Sequence, residues 1–171
     1  MKVLQEVFGK VESPAITAAE ILHKSEQERS DLKLKDDHGA VISLQDIEIR
    51  MNEVARSLIS LGLICGNRIA IYGLSYSDAL LVYLAAEQIG VNVVHLGENG
   101  PLTDQLRNLQ PRLTICAEQT ETLQMGPFGE FLIIKANELN GSESILTWTT
   151  FLDLKRFASE WELERFRIIP A

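Results

Sequence analysis

The chain has 171 residues, of which 46% are hydrophobic, and a formal net charge of -8. That much apolar material fills the core of one domain and excludes intrinsic disorder. The negative charge, with Lys and Arg scattered rather than gathered into a stripe, speaks against nucleic acid or an anionic membrane surface as a partner.

In chain order, Thr17-Ala18-Ala19-Glu20 has the form of a capping box and predicts a short helix ahead of Ile21 and Leu22. Leu32-Lys33-Leu34-Lys35 and Ala40-Val41-Ile42 flank the turn Asp36-Asp37-His38-Gly39, which predicts a small β-hairpin. Ser43, with Asp46 three residues on, opens a helix. Its apolar stripe is Ile47, Met51, Val54, Leu58 and Leu61, and Gly62 ends it. Residues 68–73 read as a buried strand. Ser75-Tyr76-Ser77-Asp78 supplies capping groups for an apolar helix over 79–89, closed by Gly90. A second strand is expected over 91–96. Pro101, Thr103 and Asp104 open a third helix with Leu102, Leu106 and Leu109 on one face, and a third strand covers 112–116.

Strands and helices that alternate in this way predict an α/β fold: a three-layer, Rossmann-like, mostly parallel sheet with helices on both faces. Beyond Ala117 a further strand is expected at Phe131-Leu132-Ile133-Ile134, between turn signals at Gly126-Pro127 and Asn140-Gly141-Ser142. Thr149 or Thr150 would cap a last helix carrying Phe151, Leu154, Phe157 and Trp161, and residues 166–169 would begin one more strand.

Cys65 and Cys116 lie far apart in apolar surroundings, with no Cys-x-x-Cys or Cys/His cluster, so two buried free thiols in a reducing compartment are expected and a metal site is not. The first residues, Met1-Lys2-Val3-Leu4-Gln5-Glu6, lack the apolar core of a signal peptide. The longest apolar stretch, around 79–86, is too short to span a bilayer. The expected location is the cytoplasm.

In open α/β sheets, ligands bind outside the carboxyl ends of the strands. Tyr72, Gly73 and Ser75, in the first strand-to-helix turn, and His95, at the end of the second strand, are therefore the candidate substrate-binding residues. A free helix N-terminus at Ser75 would accept an anion; a capped helix is the plainer reading there. At His95 the plainer reading is a histidine satisfied by hydrogen bonds at a strand end. Asp36 and Asp37 read as solvated turn residues. His23 and His38 have no partners at ligand spacing, and Glu98 and Asn99 read as exposed loop residues.

One stretch resembles a known family. Ile42-Ser43-Leu44-Gln45-Asp46-Ile47, then Ala55, Leu58, Gly62 and Leu63, then Gly66-Asn67-Arg68-Ile69-Ala70-Ile71, then Tyr83-Leu84-Ala85-Ala86 through Gly90, and Val94-His95-Leu96, follow one another at characteristic spacing. The series resembles the opening segment of the adenylate-forming superfamily: acyl-CoA and aryl-CoA synthetases, nonribosomal peptide synthetase adenylation domains and luciferases. Asn67 replaces the usual aspartate, His95 stands where proline is usual, and residues 74–78 depart from the common Asn-Ser-x-Glu form. The likeness covers residues 14–116 and is diffuse beyond them.

The resemblance implies that a complete enzyme would use ATP and Mg to join a carboxylic acid to AMP, and would then pass the acyl group to a thiol. The family holds ATP phosphates with a Ser/Thr/Gly-rich loop ending in Pro-Lys-Gly. The nearest match, Asn140-Gly141-Ser142-Glu143-Ser144, has one glycine, no lysine and a central acid, so it reads as a turn. Residues 1–171 are thus expected to form a single domain, the first subdomain of such a ligase, truncated before its ATP-binding loop. It would act as scaffold and one wall of the acyl pocket, with no catalytic residue and no cofactor bound by this chain alone. Its expected partner is the remainder of a ligase or another protein chain, with self-association through an open sheet edge. Two other readings stay open: a stand-alone, non-catalytic relative serving as a binding or assembly module, and an unrelated doubly wound protein.

Overall fold

A computed structural model describes residues 33–35, 41–97, 100–118, 128–135 and 144–167. The helix expected at Thr17–Glu20, His23, the hairpin turn with Asp36, Asp37 and His38, Glu98 and Asn99, the turns at Gly126-Pro127 and Asn140-Gly141-Ser142, and residues 168–169 lie outside the described residues. Strands β1 (Lys33–Lys35) and β2 (Val41–Ser43) pair antiparallel, Leu34 opposite Ile42, as the alternating pattern predicts.

Ser43 then starts α1 (Leu44–Ser60): its hydroxyl accepts from the Asp46 N–H at 3.1 Å, which satisfies one of the helix's open donors. Ile47, Met51, Val54 and Leu58 are buried as one stripe. Gly62, at φ +76°, turns the chain out of the helix in a conformation other residues avoid.

β3 (Arg68–Tyr72) is followed by α2 (Tyr76–Gln88), β4 (Asn92–His95), α3 (Leu102–Leu109) and β5 (Leu113–Cys116). β6 (Phe131–Ile134) and β7 (Ile145–Thr147) complete a five-stranded, wholly parallel sheet of order β4-β3-β5-β6-β7. The chain goes outward from β3 to β4 and then returns to place β5 on β3's other side. Right-handed crossovers therefore send α2 and α3 to opposite faces.

The two cores follow the period of two. Ile69, Ile71, Leu113, Ile115 and Ile133 pack on the side of α1 and α2. Ala70, Cys116, Leu132 and Ile134 pack on the other side with Leu106 of α3. The expected α/β fold, helices on both faces, is the observed one.

Four expectations are corrected. α2 begins at Tyr76 rather than Ala79, because Ser75 caps it and its first turn is polar. β7 was not foreseen; the threonine that ends it, Thr147, caps the next helix, α4 (Trp148–Asp153), in place of Thr149 or Thr150. The stripe Phe151, Leu154, Phe157, Trp161 does not lie on one helix. A 3-10 turn (Leu154–Phe157) follows α4, Ala158 is extended, and Ser159 with Glu162 forms a full capping box that starts α5 (Glu160–Phe166). Phe166 thus ends a helix instead of opening a strand.

Candidate functional site

The strand order reverses at β3, so the crevice between the ends of β3 and β5 is the natural ligand position. Gly73 leaves β3 at φ +65°, and a β-carbon on it would stand 3.8 Å from that of Ala117, which follows β5. The two loops are therefore within van der Waals reach, and the crevice between them is narrow.

Ser75, next along, caps α2. Its hydroxyl accepts from the Asp78 N–H at 3.3 Å, donates to Asp78 Oδ2 at 2.6 Å, and lies 3.3 Å from Ser77 Oγ. The Asp78 carboxylate, its side chain only 13% exposed, is ion-paired with Lys135 Nζ. Lys135 comes directly after β6, where its N–H donates to the Cys116 carbonyl at 2.9 Å. The Asp78–Lys135 pair thus reaches from the end of β6, past β5, to the first turn of α2.

This arrangement answers the question of a free helix N-terminus. The cap is filled by Ser75, and the first turn already carries a carboxylate that complements the helix dipole. Phosphate oxygens arriving there would meet Asp78 instead of open N–H groups. At the start of α2, the described residues leave no open N–H cradle for the phosphates of ATP.

The candidate residues are not brought into one place. Tyr72 is half-buried on the α3 side, against the cluster of Ala70 and Cys116. His95, half-buried, stands opposite Ile71 in register and so shares the other face of the sheet with Ile71 and Val93. Gly73 is exposed between them. Ser75 joins a cluster that sequence reasoning missed, because nothing local marks Lys135 as the partner of an acid 57 residues away. Beside this cluster lies a small pocket of about 40 Å³, between Ile42, Ile47, Arg50, Tyr76 and Leu80, which is room for a few water molecules.

Cys116 is fully buried, and burial pushes its thiol up to about 12; Cys65, expected to be buried as well, is instead exposed, because it sits in the turn between α1 and β3. An alkylating reagent at pH 8 is expected to modify Cys65 rapidly and Cys116 only on unfolding, as peptide mapping of the labelled chain would read. The folded state holds the Cys116 proton above pH 9, where the unfolded thiol has released it, so unfolding free energy falls between pH 9 and about 12. A Cys116→Ala variant should lose that component of the slope.

Among the described residues, no group of three or more His, Cys, Asp or Glu side chains is placed to hold a metal ion. No described helix is long and apolar enough to cross a membrane.

No family model matches the sequence, and no curated protein sequence matches it. Solved structures do. Coronafacic acid ligase from Pectobacterium brasiliense superposes with a TM-score of 0.70 at 14% identity, over 81% of this chain and 29% of the ligase. The chain has the fold of a segment of this ligase. An anthranilate CoA ligase in complex with anthranoyl-AMP matches at TM-score 0.64 and 17% identity, over 86% of this chain and 29% of its own. ATP-bound MatB from Rhodopseudomonas palustris matches at 0.63 and 20%, over 91% and 30%. Identities this low establish the shared ligase fold and nothing finer, and the chain spans about three-tenths of the length of these structures.

Proposed function

We propose that this chain is the first subdomain of an ATP-dependent, AMP-forming carboxylate ligase, residues 1–171 acting as scaffold and as one wall of the acyl pocket. The observation that carries the reading is the match of the five-stranded parallel sheet and its helices to the coronafacic acid ligase at a TM-score of 0.70, over only 29% of that enzyme. The order of short motifs from Ser43 to Leu96 supports it independently.

In this reading ATP and Mg belong to the complete enzyme, and the thiol acceptor is met there too. The partner of this chain is the remainder of such a ligase. Tyr72, Gly73, Ser75 and His95 are the residues offered at the carboxyl ends of β3 and β4. Tyr72 and His95 serve opposite faces of the sheet. No reaction step is assigned to the chain's own side chains: Asp78 is neutralised by Lys135, and the α2 N-terminus is capped.

Isothermal titration of the chain with ATP and Mg, with pyrophosphate release followed in parallel over a panel of carboxylic acids, tests the reading. The expected result is no heat and no pyrophosphate. Micromolar binding, about -8 kcal/mol, would overturn the non-catalytic scaffold and place a nucleotide site within the chain.

A further inference from the structure

α5 packs on α1 through one side. Leu163 is buried in the core they share, and Phe166 packs beside that core. At 3.6 residues per turn, Glu160, Trp161, Glu164 and Arg165 fall together on the other side, and all four are exposed. Trp161, with Phe157 just before the helix, is the most exposed of the large apolar residues described. Each ring has a guanidinium over it: Arg165 lies 4.8 Å from the centre of Trp161, and Arg156 lies 4.9 Å from that of Phe157. Tryptophan and arginine are the residue types that most often anchor protein interfaces.

The charges decide which partner suits this face. Glu164 is bonded to Arg167 on its own helix, and Arg165 is drawn toward Glu162. Among the described residues, no ion pair reaches Glu160. α5 thus presents an acid at its start and a base, Arg165, near its end. A wholly acidic or wholly basic partner would match one of them and repel the other. A second copy related by a two-fold axis matches both. Two α5 helices laid side by side and antiparallel set Glu160 of each copy beside Arg165 of the other, and bring the two Trp161 rings to the middle. A chain of formal net charge -8 repels its own copy over faces where the acids are not balanced, which favours this face over others.

We propose that the exposed face of α5 is a contact between two copies of this chain, anchored on Trp161, with the Glu160–Arg165 pair made twice. One short helix per copy buries less than the roughly 1,200 Å² of a stable interface. The dimer is therefore weak, with a Kd on the order of 100 μM. It forms through a helix rather than through the open sheet edge.

The test is sedimentation equilibrium of the full chain, from about 10 μM to about 1 mM, so that the range brackets that affinity. Trp161→Ala is expected to weaken the dimer about tenfold or more. Glu160→Lys and Arg165→Glu should each weaken it about fivefold, because each sets like charges opposite one another. An equimolar mixture of these two variants should associate about as tightly as the unaltered chain. In the mixed pair the new lysine faces the new glutamate, and the native glutamate faces the native arginine. Misfolding of either variant would not be rescued by mixing. A chain that stays monomeric leaves this face to another partner, such as the remainder of the ligase, and overturns the proposal. A dimer that Trp161→Ala leaves unchanged overturns it too, and moves the contact to the sheet edge at β4. So does a mixture no tighter than either variant alone. None of these outcomes bears on the ligase reading, which the ATP titration tests by itself.

Discussion

Phe151→Ala is expected to cost about 4 kcal/mol of unfolding free energy, the usual loss when a buried phenylalanine is truncated and the surroundings cannot close the gap. Phe151 is fully buried in the core that α1, α2 and the sheet share, and its ring centroid lies 5.2 Å from that of Trp148. Trp161→Ala is expected to change stability by less than about 1 kcal/mol. Trp161 is 66% exposed, with the Arg165 guanidinium 4.8 Å from its ring centre. Urea unfolding of both variants, read as a shift in midpoint at constant slope, makes the comparison. Equal losses would mean that the two aromatics share one buried face, and that the break between α4 and α5 is wrong.

The break itself was legible in the sequence. Phe151, Leu154, Phe157 and Trp161 satisfy a helical spacing, and that pattern alone predicts one helix. Yet Ser159 and Glu162 also stand in the sequence as a capping box, and a capping box inside a helical stripe means that a new helix begins. The cap pins Ala158 in extended geometry and turns Phe157 and Trp161 outward, both 66% exposed. The same weighting of apolar pattern over capping set the expected start of α2 at Ala79 when Ser75 had already fixed it.

Other features were read correctly because they are local. α1 follows from Ser43, its stripe and Gly62; β3 follows from an unbroken apolar run between polar ends. What the sequence does not carry is register. Tyr72 and His95 both end parallel strands, but only the pairing of Ile71 with His95 reveals that they face opposite sides of the sheet. The Asp78–Lys135 pair needs the same information: β6 must lie beside β5, and β5 beside β3, before a lysine after one strand meets an acid beyond another. The part of the candidate site most open to sequence reasoning was therefore the helix cap, and the part least open was its charge balance.

Gly129→Ala is expected to destabilise the chain by about 3 kcal/mol, and Gly66→Ala by about 1 kcal/mol. Both glycines hold positive φ, +96° and +87°, so both substitutions carry the conformational penalty of an L residue in that region. They differ in what a side chain would meet. Around Gly66 there is nothing within 4 Å. At Gly129 a β-carbon would run into the backbone of Pro111 and Arg112, with the Pro111 oxygen at 2.5 Å and the Arg112 carbonyl carbon at 2.6 Å. Backbone cannot swing aside as a flexible side chain would. Relief requires breaking the bond from the Glu130 N–H to the Arg112 carbonyl, 2.8 Å long, which sets the start of β6 against β5. Comparison of the two variants by urea unfolding removes the conformational penalty they share and leaves the steric one. A difference near zero would mean that the entry to β6 yields easily and that its first backbone bond to β5 is readily given up. A difference of about 2 kcal/mol would mean that the backbone of Pro111 and Arg112 holds its place and that the start of β6 is fixed rigidly against β5.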